Sequence, residues 1–274
     1  MKVLISADME GISGVVNGNQ VTPGEEEYKT AREMMIKDTN AAIEGALDAG
    51  ADEIVVNDSH DGMVNLLPEK LHPEARLISG YGKPLVMMEG VQDVDVAMFV
   101  GYHARIGTLK GVLSHSYFGG NINGVEMNGV EAGEPEINAA IAGHYDVPVV
   151  FTSGGQRVCD LVQESIGKWI TVAPVKEDLS RTAAKCLHPQ RARELIKQRA
   201  KQAFENLTVA EPVKPDLPIS FEVKFFTGQM ADQAEMYPFS ERVNSRTIRV
   251  TGEDVVEGFR AFMVLAKLGQ AELF

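Results

Sequence analysis

Cysteine is scarce in this chain: two in 274 residues, Cys159 and Cys186, with no C-x-x-C spacing. That excludes a disulfide framework or a thiolate zinc site and leaves two buried thiols as the expectation. Positive charge is also short. Lys and Arg number 26 against 39 Asp and Glu, giving a formal net charge of −13. Such a surface repels duplex nucleic acid and anionic membranes, so neither is an expected partner. No stretch approaches the roughly 20 apolar residues of a membrane span. The apolar run in the opening MKVLISADMEG is too short for a signal peptide, and acidic residues follow it at once. The expected location is the cytoplasm.

What is present is ordinary for a folded protein. Hydrophobic residues make up 44%, enough to offset chain entropy and exclude disorder. The length suggests one principal domain plus a smaller one. Short apolar runs at Lys2 to Ser6, Glu53 to Asn57, Ala75 to Ser79, Val94 to Gly101, Val147 to Phe151 and Ile170 to Ala173 read as strands. Helical stretches separate them. One is expected from a capping box at Thr22 to Glu25 through Ala49, stopped by Gly50. Others are expected from Glu134 to about Gly143, after a Ser153-Gly154-Gly155 cap, and from Pro189 to Asn206. Buried strands alternating with helices predict a three-layer α/β/α domain with a mainly parallel sheet over residues 1–206.

Residues 107–133 are rich in Gly, Asn and Ser, with turn signals at Asn123-Gly124 and Asn128-Gly129. They predict hairpins or an extended loop over the active face. The proline-spaced segment Pro212, Pro215, Pro218 reads as a linker. A smaller α+β portion is expected over 207–274, with strands at Ser220 to Phe226 and Thr247 to Val250, a short helix near Ala231 and a last helix from Asp254.

Chemistry gathers at strand ends. Asp8 lies where the first strand stops, and Glu10 follows two residues on, facing the same way in an extended chain. His60 comes three residues after the second strand, and His103 just after the Val94 to Gly101 strand. In an open parallel sheet the C-terminal edge is where ligands bind. Two carboxylates and two histidines converging there form a nitrogen and oxygen donor set that suits zinc, and a carboxylate can bridge two ions. Glu134, taken alone, reads first as a carboxylate favoured by a helix N-terminus.

The motifs ADMEG (Ala7 to Gly11), NDSH (Asn57 to His60), GYHA (Gly101 to Ala104), SHS (Ser114 to Ser116) and GEPEINA (Gly133 to Ala139) resemble the D-aminopeptidase family of zinc peptidases, the dipeptide-transport-operon protein A family. The resemblance runs from Met1 through the C-terminal helix. It implies two zinc ions held by Asp8, Glu10, His60, His103 and Glu134, and a catalytic role for His115. It also implies short D-amino-acid peptides as substrates and a ring-like homo-oligomer, a decamer. Asp8 shared by both ions would let each reach four-coordination with one bridging oxygen. Whether His115 acts as acid, oxyanion stabiliser or nucleophile stays open. Two other readings of the donor set remain: a two-metal phosphoesterase, which needs basic residues beside the metals, where only Arg105 adjoins a motif; and a peptide-binding or scaffold protein with structural metals. His72, His144 and His188 read as surface or packing residues, and Asp58 and Asp61 as partners of His60 or turn caps.

Overall fold

The computed structural model describes residues 1–270. In chain order its elements are β1 (Lys2–Ala7), α1 (Gly18–Val21), α2 (Tyr28–Asp48), β2 (Glu53–Asp58), β3 (Ala75–Ile78), β4 (Val96–Tyr102), β5 (Ile122–Met127), β6 (Val130–Glu131), α3 (Glu134–His144) and β7 (Val149–Gly155). Then come α4 (Gln156–Ser165), β8 (Thr171–Ser180), β9 (Ala183–Cys186), α5 (Pro189–Ala203), β10 (Ile219–Phe225), α6 (Gly228–Ala234), β11 (Ser240–Asn244), β12 (Thr247–Gly252) and α7 (Val255–Leu268).

The first sheet has the order β3-β2-β1-β4-β7-β8-β9. All neighbours are parallel except the edge pair β8 and β9. Its central strands are apolar at successive positions because both faces are covered. Val3, Ile5 and Ala7 of β1 pack with Ile36 and Ile43 of α2 and Ile196 of α5. Leu4, on the opposite face, joins the cluster that includes Ile137 and Ile141 of α3 and Val158 and Val162 of α4. Each such aliphatic side chain, fully buried, contributes about 1.5–3 kcal/mol of transfer free energy. The architecture is the expected α/β one, with a mainly parallel sheet between helices.

The second sheet is antiparallel, with the order β11-β12-β10-β5-β6. The hairpin β5–β6 comes from within the 107–133 stretch, and β10 to β12 follow residue 206, so this sheet draws strands from both sides of that position. Phe221 and Phe225 of β10 pack with Phe259 and Phe262 of α7, and that cluster is continuous with α3. Asn128-Gly129 makes the turn between β5 and β6, whereas Asn123-Gly124 lies inside β5 rather than at a turn; 107–121 remain irregular and carry His115.

Three local expectations differ from the structure. The capping box is not at Thr22. Asn17 accepts the backbone N–H of Gln20 and the Gln20 side chain returns to the Asn17 N–H, so α1 is capped there instead. The Thr22 hydroxyl donates to the Gly18 carbonyl, and α2 begins at Tyr28 without a side-chain cap. Strand β8 runs to Ser180 and returns as β9, a hairpin hidden because Lys176, Glu177 and Asp178 interrupt its apolar pattern. β11 was also missed, since Ser-Glu-Arg-Val-Asn carries a single apolar residue.

Candidate metal centre

Strand register places the donors. Asp8 follows the last residue of β1, where Ala7 pairs with Asp58 of β2 and with Val100 of β4. The Asp8 N–H donates to the Val100 carbonyl at 2.8 Å, and the Ser59 N–H donates to the Ala7 carbonyl at 2.8 Å. The three chain ends are therefore tied side by side. Behind them two glycines permit an approach that no side chain would allow. A Cβ on Gly11 would lie 2.1 Å from the Tyr102 carbonyl oxygen. One on Gly101, whose φ is +71°, would lie 2.2 Å from the Asp8 carbonyl oxygen.

The five expected donors Asp8, Glu10, His60, His103 and Glu134 come together, each at most 5% exposed. His60 Nε2 donates to the Val21 carbonyl at 2.7 Å, so its Nδ1 is the free nitrogen. That Nδ1 lies 3.3 Å from Asp8 Oδ1 and 3.0 Å from Glu10 Oε2. His103 has the opposite arrangement. Its Nδ1 donates to the Ala104 carbonyl at 3.0 Å, and its Nε2 lies 3.6 Å from Asp8 Oδ2 and 3.1 Å from Glu134 Oε2. Asp8 thus turns one oxygen toward each histidine. A backbone carbonyl fixes each ring, which is how metal-ligating imidazoles are commonly oriented.

These groups fit a cation better than one another. Asp8 Oδ2, Glu10 Oε2 and His103 Nε2 are buried without a hydrogen-bond partner. Orphaned buried carboxylate oxygens are costly. Zinc holds nitrogen and oxygen donors at about 2.0–2.2 Å, so tetrahedral neighbours around one ion are separated by about 3.3–3.6 Å. The observed separations of 3.0 to 3.6 Å lie close to that range. Ligand atoms of Asp8, Glu10 and His103 gather within 4.8 Å of one another, and so do those of His103, His115 and Glu134.

Burial, reinforced by the Glu10 charge, pushes Asp8 up to about 7. For His103 burial favours the neutral ring, but Glu134 and Asp8 outweigh it and lift the imidazole to about 10. His60 is raised well above its usual range by Glu10 and Asp8, again against burial. The two raised imidazoles show that the carboxylates around them stabilise positive charge.

His115 stands beside the donors. Its ring stacks on that of His103, with centroids 4.0 Å apart and planes inclined 14°. Nδ1 donates to the Leu113 carbonyl at 2.9 Å, and Nε2 lies 3.7 Å from Glu134 Oε1. The loop is held in an uncommon backbone conformation, with Leu113 at φ +51° and Tyr117 at φ +56° on either side of the histidine. Such outliers cost about 1–3 kcal/mol each and collect at functional sites. The Tyr117 N–H donates to Glu134 Oε1 at 2.6 Å, and its hydroxyl donates to Asn138 at 2.9 Å. Asn138 is fully buried and also donates to the Tyr102 hydroxyl at 3.0 Å.

Asp58 caps the loop rather than orienting His60. It accepts the N–H groups of Asn65 and Leu66, and Asn65 in turn holds the His60 carbonyl at 2.6 Å. Arg105, the one basic residue beside a motif, pairs with Glu136 at 2.9 Å and Glu131 at 3.4 Å and is committed away from the donors. Sequence reading missed Lys176. It is 3% exposed and donates to the carbonyls of Glu10, Ile12 and Val15 at 2.5, 3.1 and 2.6 Å, clamping the loop that carries Glu10. The available signal was a lysine directly after the apolar run Val172-Ala173-Pro174-Val175.

A cavity of about 890 Å³ opens onto Asp8, Glu10, His60, His115 and Glu134. Set against known proteins, residues 1–264 match the family model described as D-aminopeptidase. The D-aminopeptidase of Bacillus subtilis (strain 168) is 38% identical over 277 residues, covering 100% of both chains. A solved structure described as the Zn-dependent D-aminopeptidase DppA from Bacillus subtilis, a self-compartmentalizing protease, superposes with a TM-score of 0.96 at 37% identity, covering 100% of both chains.

Proposed function

The chain belongs to the D-aminopeptidase family, and from that premise we propose that it is a zinc-dependent aminopeptidase that removes the N-terminal residue of short D-amino-acid peptides. The observation that carries this reading is Asp8, which offers a separate oxygen to each of two imidazoles inside a buried, partly orphaned donor set. We assign one zinc to Asp8, Glu10 and His60 and a second to Asp8, His103 and Glu134. Bound zinc supplies Lewis acidity toward the scissile carbonyl and the attacking water.

The chain's own residues do the rest. Asp8, Glu10, His60 and Glu134 face the cavity, so a zinc pair held there would stand at its wall, within reach of the amino end and the scissile carbonyl of a peptide. His115 is the proton carrier. With Nδ1 committed to the Leu113 carbonyl, Nε2 is its exchanging atom. Burial and the adjacent His103 hold its pKa below the usual range, so the ring is neutral near pH 7 and can take a proton and pass it to the leaving amine. Tyr117 fixes Glu134 on one side of that histidine, and the Leu113 carbonyl fixes the ring on the other.

His115→Ala tests the assignment. Turnover should fall by about 10² or more, as for loss of a general acid-base group, while metal content stays that of the parent. Loss of one metal would make His115 a ligand instead, and survival of both metal and rate would reduce it to a loop residue.

We further infer that the protein assembles as a closed ring-like homo-oligomer, a decamer, in the cytoplasm. The solved relative is described as self-compartmentalizing, and no described helix is long and apolar enough to cross a membrane. Closed rings follow from repeated heterologous contacts. Light scattering at micromolar concentration should give about ten times 29.8 kDa, and the mass of a single chain would end this reading.

A further inference from the structure

The cavity above the donor set has two poles. Its buried wall carries Asp8, Glu10 and Glu134, and its exposed rim carries Arg181, Arg260 and Lys267. Lys267, in the last turn of α7, is the most defined of the rim cations. Its Nζ lies 4.4 Å from the centre of the Phe118 ring and 4.8 Å from that of Tyr81. Two aromatic faces attract an ammonium through their quadrupoles and restrict where it sits. Phe118 belongs to the same loop turn as His115, for a Cβ built on the next residue, Gly119, would lie 3.3 Å from His115 Cβ. One short segment therefore presents the proton carrier at one end and positions a cation at the other.

A peptide of two or three residues is complementary to this arrangement. Its amino end must reach the donor set, and its carboxylate end must lie beyond the scissile bond. At about 3.3–3.6 Å per extended residue, that carboxylate sits roughly 7–11 Å further along the cavity. A cavity of about 890 Å³ is of the size that encloses such a ligand. An ammonium is a compact point charge on a flexible stem, suited to a carboxylate whose position shifts with peptide length.

We propose that Lys267 binds the free α-carboxylate of the peptide substrate and so determines the enzyme's preference for short peptides. This rests on the aminopeptidase reading above. The experiment compares D-Ala-D-Ala with its C-terminal amide on the zinc-loaded parent, Lys267→Met and Lys267→Arg. The parent should show a KM about two- to fivefold lower for the acid than for the amide, the range of an exposed charge contact. Lys267→Met should raise KM for the acid to that of the amide, with kcat and the amide kinetics unchanged, and Lys267→Arg should restore most of the difference. Calorimetric titration of the zinc-loaded His115→Ala protein with acid and amide should give the same ratio of dissociation constants, and Lys267→Met in that background should abolish it. Equal KM for acid and amide in the parent, or equal damage to both in Lys267→Met, overturns the proposal while leaving the aminopeptidase intact. Failure of the parent to hydrolyse either substrate overturns the aminopeptidase reading and the proposal with it.

Discussion

Asp8→Ala is expected to cost more activity than any other single substitution, about 10³-fold or more, and to remove metal from both halves of the donor set. The argument is geometric. Oδ1 of Asp8 faces His60 and Oδ2 faces His103, so truncating this one side chain takes a donor from each group. Metal polarisation is worth several kcal/mol of transition-state stabilisation, and each 1.36 kcal/mol is a factor of ten. Glu10→Ala and Glu134→Ala each remove a donor from one group only and should leave roughly one ion per chain. Elemental analysis of purified variants, paired with turnover, gives the comparison. An Asp8→Ala protein that keeps two ions and the parent rate would refute the shared-carboxylate arrangement.

Lys176→Met should have the largest effect on stability. The substitution keeps the length of the stem but withdraws the three hydrogen bonds that hold the carbonyls of Glu10, Ile12 and Val15. Two effects oppose each other. Removing a buried ammonium recovers a desolvation cost, visible in the lysine's own pKa, which burial lowers to about 8. Against that, three carbonyls lose a charged donor, at about 1–3 kcal/mol for each group left unsatisfied. The second effect outweighs the first, with a net loss of about 3–5 kcal/mol, or a fall in Tm of about 6–20 °C for a chain of this size. Metal affinity should weaken by about 10- to 100-fold as well, because Glu10 rides on the released loop. A variant that melts with the parent and binds metal equally would show that the clamp is dispensable.

Sequence reading recovered the parts of this molecule whose causes are local. Short apolar runs bounded by helices marked the parallel sheet, and the residues just past β1, β2 and β4 pointed to a donor set at one edge. What it missed depends on distant partners. Lys176 lies 166 residues from Glu10 in sequence, and nothing nearby shows that its ammonium ends among three carbonyls. Of the two turn signals in 122–131 only Asn128-Gly129 is a turn, since Asn123-Gly124 lies inside β5, and the hairpin's role as part of a second sheet is set by β10, almost a hundred residues later. Residues of the Thr22 type fit a capping box by composition. Asn17, five residues earlier, made the better cap because Gln20 completed it reciprocally. The placement of Lys267 against Phe118 and Tyr81 is likewise a product of how α7 packs.

The position of β1 between β2 and β4 has a consequence for how the protein comes to hold its donors during folding. Asp8 and Glu10 are neighbours in any conformation, but His60, His103 and Glu134 arrive only when parallel strands far apart in sequence have paired in register. Long-range parallel pairing is slow because loop closure must precede the contacts that reward it. A slip of one residue would turn the strand's side chains to the opposite face, and Asp8 would point away from both histidines. A nascent or partly folded chain thus offers a loose pair of carboxylates, and the full donor set exists only after the centre of the sheet has closed.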